Sequence, residues 1–189
     1  LYLTGITGSL SGVTNRPSSN NQYMTLDATG KLMNKGRFKF LWKMPLDSTS
    51  DHFHLNIHIS AFDMNAINEL VTPLASAEIL SGHLNEMTFS TDASSKGATA
   101  QMQLLYNDLR VSLLKNKNGE MMDNKLLSGL VNKIVKHDNP EIKGKKQVLQ
   151  SPRQANVTIV RDPNHSTFNY MWQILRPALI ESEGVSQVK

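Results

Sequence analysis

The chain has 189 residues, of which 39% are hydrophobic and 19% charged, with a net charge of +4 and no cysteine. That balance excludes a disordered tail, and the lack of cysteine excludes a disulfide framework, a thiolate metal site and a cysteine nucleophile. No apolar run reaches the roughly 20 residues of a spanning helix, and the length suits one domain or two small ones.

The chain opens in strand-like Leu1-Tyr2-Leu3, without an initiator methionine or a signal peptide. A fragment of a longer protein is therefore expected, with any anchor or signal upstream. Residues 1–14 mix apolar residues, threonine and glycine and predict a short strand and a turn. Gly5, Gly8 and Gly12 are a loose series suited to turn-making, with no phosphate-binding fingerprint around them. Asn15 to Gln22 has loop composition. From Met24 to Leu32 the residues alternate as a strand.

The clearest period follows. Phe38, Phe40, Trp42 and Met44 alternate with Arg37, Lys39, Leu41 and Lys43. After the turn-forming run from Asp47 to Asp51, Phe53, Leu55, Ile57 and Ile59 alternate with His52, His54, Asn56, His58 and Ser60. Period two on both sides of a turn predicts a hairpin with one greasy and one polar face. A short helix capped by Asp63 carries Met64, Ile67, Leu70 and Val71, and Pro73 ends or kinks it. Strands resume at 79–91, 98–106 and 109–114, with Asn107-Asp108 as a tight turn between the last two. Lys115 to Gly119 predicts another polar turn.

Leu126, Leu127, Leu130, Val131 and Ile134 then fit one face of a helix over 125–135. Residues 138–153 hold Pro140, Gly144, Pro152 and the run Lys143, Lys145 and Lys146. They predict an exposed basic loop, with a patch for anionic headgroups or nucleic acid as the alternative. Ala155, Val157 and Ile159 suggest a last strand. A final helix from Ser166 or Thr167 sets Phe168, Met171, Trp172, Leu175 and Leu179 on one side, with Pro177 a possible kink. Strands that follow one another without helical crossovers predict antiparallel pairing.

Chemistry-bearing constellations are few. His54 and His58 on one strand would stand about 13 Å apart, too far to share one zinc ion with His52. His83, His137 and His165 have no ligand spacing around them. There is no nucleophile elbow, and Asp47/Asp51 and Glu181/Glu183 fall in predicted turns or at the chain end. Basic-aromatic interleaving of the RNA-binding kind is absent, so nucleic acid is not an expected partner. The greasy face remains: Phe38, Phe40, Trp42, Met44, Phe53, Leu55, Ile57 and Ile59 form either the core beneath a helix or part of a groove for acyl chains. Residues 37 to 46 would span about 33 Å, enough for a lipid tail.

Three segments in the second half carry a resemblance. They are Leu80-Ser81-Gly82-His83-Leu84; Gly97-Ala98-Thr99-Ala100-Gln101-Met102 running into Leu105-Tyr106-Asn107-Asp108-Leu109-Arg110-Val111; and Arg161-Asp162-Pro163-Asn164 followed by Phe168-Asn169-Tyr170-Met171-Trp172. In order and spacing these resemble the C-terminal region of the AsmA-like family, large envelope proteins of double-membraned bacteria. Pro177 and His83 depart from the pattern.

The resemblance implies a mainly β fold with α (α+β): an antiparallel, strongly twisted sheet forming a curved or taco-like layer. A short helix mid-chain and two helices in the C-terminal half would accompany it. Residues 1–189 would form a single AsmA-like domain, with a sub-boundary near 75–80. The resemblance further implies a non-catalytic periplasmic module in outer-membrane biogenesis that binds or transfers phospholipid, its membrane anchor upstream and no cofactor. The alternative is a docking scaffold for envelope assembly proteins, without lipid.

Overall fold

The computed structural model describes residues 2–14, 23–46, 52–117, 120–123, 135–162, 164 and 166–184. The chain is mainly β with two helices, its strands paired antiparallel throughout. In chain order the strands are β1 (Leu3–Ser11), β2 (Tyr23–Leu32), β3 (Gly36–Pro45), β4 (Phe53–Asp63), β5 (Ala77–Ala93), β6 (Gly97–Lys117), β7 (Glu120–Asp123), β8 (Ile142–Lys143), β9 (Val148–Leu149) and β10 (Gln154–Val160). The spatial order is β1-β2-β3-β4-β5-β6-β10, with β7 pairing the far end of β6, and the sheet is not closed into a barrel. β8 and β9 form a separate small hairpin.

A 3₁₀ turn (Met64–Ile67) leads into helix α1 (Asn68–Ala75), which packs on β5. The Asn68 side-chain amide locks the helix to the strand: Nδ2 donates to the Ile79 carbonyl at 2.9 Å and Oδ1 accepts from the Ile79 N–H at 2.8 Å. α1 runs through Pro73 and ends on Ser76 at a φ of 48°. Helix α2 (Thr167–Ser182) packs on β6 and β10. Ser166 caps it, its hydroxyl accepting from the Asn169 N–H at 3.3 Å.

Several expectations need correction. Asn107-Asp108 does not reverse the chain; the two expected strands are one 21-residue strand, β6. Asp108 takes a φ of 57° inside it, opposite the register shifts of β5 around Ser81 to Glu86. A single left-handed residue in a paired strand makes a bulge, not a hairpin. The bulge is held because the Asp108 N–H donates to Asp138 Oδ1 at 3.0 Å and the Ser81 hydroxyl to the Asp108 carbonyl at 2.7 Å.

The stretch 138–153 is not simply exposed, since Asn139 is fully buried within it. The inward stripe of α2 is also displaced from the expected one. Tyr170, Ile174, Ala178 and Ser182 are fully buried, whereas Met171, Trp172, Leu175 and Leu179 are half-buried flanks. α2 continues through Pro177. The helix expected over 125–135 lies, but for Val135, outside the described residues, as do His165 and the Asp47–Asp51 turn; the side chain of Phe168 is likewise outside the described ones.

Two of the early glycines, one in β1 and one just after it, have a structural reason. A Cβ on Gly8 would stand 2.5 Å from the Asp27 carbonyl oxygen, and Gly12 has a φ of +72°.

Candidate functional site

Cross-strand register sorts the sheet into two faces. On one, the row Leu10, Leu26, Trp42, Leu55, Thr91, Ala100, Val157 crosses seven strands. The adjoining row Ala28, Phe40, Ile57, Phe89, Met102, Ala155 is apolar throughout. Strand alternation thus places all eight expected lipid-facing residues on a single face.

Their burial is graded. Phe53 and Leu55 are buried, while Phe38, Phe40, Trp42, Met44, Ile57 and Ile59 are half-buried. α2 covers the far end of this face. Phe53 stands edge-on to Tyr170 of α2, with centroids 6.4 Å apart, and edge-on to Trp42 at 6.0 Å. The Tyr170 hydroxyl donates to the Ser94 carbonyl at 3.2 Å, and the Arg161 guanidinium lies 5.1 Å from the ring centre. Arg161 and burial act on the Tyr170 phenol in opposite senses, and burial, the larger effect, raises it.

Toward β1 the face becomes open. Leu10 is 57% and Ile6 59% exposed. Trp42 Nε1 is buried, and no acceptor meets it among the described residues. A buried indole donor without a partner costs about 1–3 kcal/mol.

The opposite face is polar. Its rows are Thr29, Lys39, His58, Thr88, Gln103, Gln154 and Asp27, Leu41, Asn56, Ser90, Gln101, Asn156. Three shallow depressions, each of about 450–490 Å³, adjoin one another along β3, the middle one bordered by Lys39, Leu41, Asn56 and His58. Three histidines pair with carboxylates across strands: His54 with Asp92, His58 with Glu86 at 2.8 Å, and His83 with Asp63 at 2.8 Å. No group of three or more metal-ligating side chains converges among the described residues. Lys145 and Lys146 are exposed between β8 and β9, and Lys143 pairs with Glu141 at 3.2 Å.

Sequence patterning missed the polar cluster beside the middle of β6. Arg153 Nη2 donates to the Tyr106 hydroxyl and the Asp138 carbonyl, Nη1 to Glu141 and Nε to the Ser182 carbonyl, at 2.8–3.3 Å. Asn139 pairs backbone to backbone with Tyr106, and its amide reaches the Leu104 and Arg153 carbonyls and accepts from the Arg153 N–H. Burial pushes the Tyr106 phenol up to about 12 against the lowering effect of Arg153. Burial also raises the Glu141 carboxyl, but Lys143, Lys136 and Arg153 together hold it below its ordinary value. Each member is bonded to other protein groups, so the cluster is a clasp between loop, sheet and helix rather than a ligand site. Only the single Asn-Pro and the lone Arg153 marked it in the sequence.

Comparison with protein-family models, curated proteins and solved structures gives no match for this chain.

Proposed function

We propose that this chain is a non-catalytic lipid-binding or lipid-transfer module, holding an acyl chain against the apolar face of β2, β3 and β4 beside α2. The observation that carries the reading is the open end of that face. The row runs from buried Leu55 through half-buried Trp42 and Leu26 to exposed Leu10. Phe40, Trp42 and Ile57 keep partial exposure there. An acyl chain laid along such a surface gains about 0.8 kcal/mol per methylene removed from water. An AsmA-like protein of the bacterial periplasm, engaged in outer-membrane biogenesis, is the setting in which this activity fits. The test is native mass spectrometry of the gently purified chain, followed by lipid extraction. A stoichiometric phospholipid supports the proposal. A lipid-free mass, together with no uptake of a fluorescent fatty acid, overturns it for this chain.

A second reading, a docking scaffold for envelope assembly proteins, is favoured by the contrast between the two sheet edges. At β10 the Asn156 N–H donates to the Glu181 carboxylate of α2 at 3.3 Å, which blocks that edge. β1 carries no charge and no proline from Leu3 to Ser11. Edges without charge or proline accept an added strand, here on Thr7–Ser11 beyond the irregularity between Thr4 and Thr7. A partner captured through β1 would be lost on Thr7→Pro, with the lipid content of the chain unchanged.

A further inference from the structure

One hairpin carries a run of cations unbroken by acids. Between Asp27 and Asp47 stand Lys31, Lys35, Arg37, Lys39 and Lys43, with no acid among them. These five cations exceed the net charge of the whole chain, +4. Strand alternation sends Lys31 of β2 and Arg37, Lys39 and Lys43 of β3 to the polar face.

Their placement there is costly. Lys31 is the register partner of Arg37, and like charges directly opposite on paired strands repel. The neighbours across β4 do not relieve it. Lys39 faces His58 and Lys43 faces His54, and those imidazoles already hold Glu86 and Asp92. Among the described residues no carboxylate lies within ion-pair distance of Lys31, Arg37, Lys39 or Lys43. Asp27, Glu86 and Asp92 share the face, the last two engaged by the β4 histidines.

The cations also border concave surface. One depression of about 460 Å³ is bordered by Lys31, Arg37, Lys39, His58 and Ser60, and Lys43 with Tyr23 borders the one at the other end of β3. The Ser60 hydroxyl bonds the Arg37 backbone, accepting at 3.1 Å from its N–H, which fixes the base of the guanidinium arm. Exposed cations in a row, without a carboxylate partner among the described residues, answer to phosphate oxygens presented at intervals. An Arg fork takes them bidentately and the lysines take them as point charges.

We propose that the polar face of the β2–β3 hairpin is a docking surface for an anionic phospholipid membrane, with Lys31, Arg37, Lys39 and Lys43 engaging headgroup phosphates. The occupant is a membrane surface rather than a free anion because Arg37, Lys39 and Lys43 lie along β3 over about 20 Å, with Lys31 beside Arg37 on β2. That spread exceeds one phosphate group and matches several headgroups. The proposal does not depend on acyl-chain binding, which concerns the opposite face.

The experiment is co-sedimentation with vesicles of phosphatidylcholine alone and of phosphatidylcholine with phosphatidylglycerol, at low and high ionic strength. Binding is expected only to the anionic vesicles, and added salt releases it. Replacing Lys31, Arg37 and Lys39 together by Gln weakens it about a hundredfold. Relief of the Lys31–Arg37 repulsion keeps that variant folded, and its urea midpoint checks this. The Lys143→Gln/Lys145→Gln/Lys146→Gln variant, altered on the β8–β9 hairpin, binds as the wild type does. Equal binding to both vesicle types, no binding to either, or an unweakened triple Gln variant overturns the proposal. Full competition by millimolar inorganic phosphate also overturns it, assigning the cations to a free anion instead. None of these outcomes bears on whether lipid co-purifies, so the two readings fail separately.

Discussion

Tyr106 accepts a hydrogen bond from Arg153 at 3.0 Å, and its hydroxyl donates to the Lys136 carbonyl, also at 3.0 Å. The phenol thus joins the longest strand to residues 136–153, and through Arg153 Nε to the C-terminal end of α2. Arg153→Met keeps the aliphatic stem but leaves Glu141 and three oxygen acceptors short of a donor. The expected loss of stability is about 2–4 kcal/mol. Tyr106→Phe removes one acceptor and one donor and costs about 1–2 kcal/mol. Because the two share a bond, the double variant loses less than the sum. Urea denaturation of all four proteins measures that coupling. Additive losses would show that the clasp is not cooperative.

The contact of α2 with the sheet gives a sharper contrast along one helix. Ile174 is fully buried and Arg176, two residues on, is exposed. Ile174→Ala leaves a cavity under the helix and is expected to cost about 3 kcal/mol. Arg176→Ala stays within about 0.5 kcal/mol of the wild type. Thermal or urea midpoints separate the two. Equal effects would place the inward face on the other stripe, through Met171 and Leu175.

That displaced stripe shows what the sequence could and could not reveal. Strand periodicity was plain in Phe38 to Met44 and Phe53 to Ile59, because alternation is enforced residue by residue once one face is apolar. Helical phase is looser. Met171, Trp172, Leu175 and Leu179 suggest one face on hydrophobicity alone. The buried stripe instead includes Ala178 and Ser182, small residues that allow close approach to β6 and β10, and Tyr170, whose hydroxyl has an acceptor at Ser94. Sheet order had no local signal either: β10 pairs with β6, a partner about 55 residues earlier, while β7 takes the other end of the same strand. The basic side of the candidate surface was legible as Arg37, Lys39 and Lys43, but its like-charge pairing with Lys31 exists only once the register is known.

The Asn107-Asp108 misreading carries its own test. Asp108 adopts a φ of 57°, and both of its bonds, to Asp138 and from Ser81, use backbone atoms. Asp108→Gly therefore keeps both bonds while removing the cost of the left-handed conformation, so stability rises by up to about 1 kcal/mol. Asp108→Val, β-branched at the same φ, loses about 1–2 kcal/mol or more. If Gly and Val behave alike, the bulge is not held at Asp108. Amide exchange at Leu109, whose N–H donates to the His137 carbonyl at 2.9 Å, reports whether the bulge opens in the Val variant.

Glu183, at the end of α2, makes stability depend on pH. Burial raises its carboxyl from the ordinary 4.5 to about 7. A carboxyl raised on folding binds its proton more tightly in the folded chain. Its contribution is fully present below pH 4.5 and is lost as pH rises toward and through about 7. The loss is complete in the mildly alkaline range, with a ceiling of about 3 kcal/mol. Glu141 works in the opposite sense: its lowered carboxyl stabilises above its ordinary range and loses that contribution on acidification. Comparing Glu183→Gln with the wild type at each pH cancels the Glu141 term, since both proteins keep it. The variant should match the wild type near pH 4 and exceed it at pH 8, when both are measured by urea midpoint at constant ionic strength. A difference that stays constant across that range would mean the Glu183 carboxylate is solvated in the folded chain.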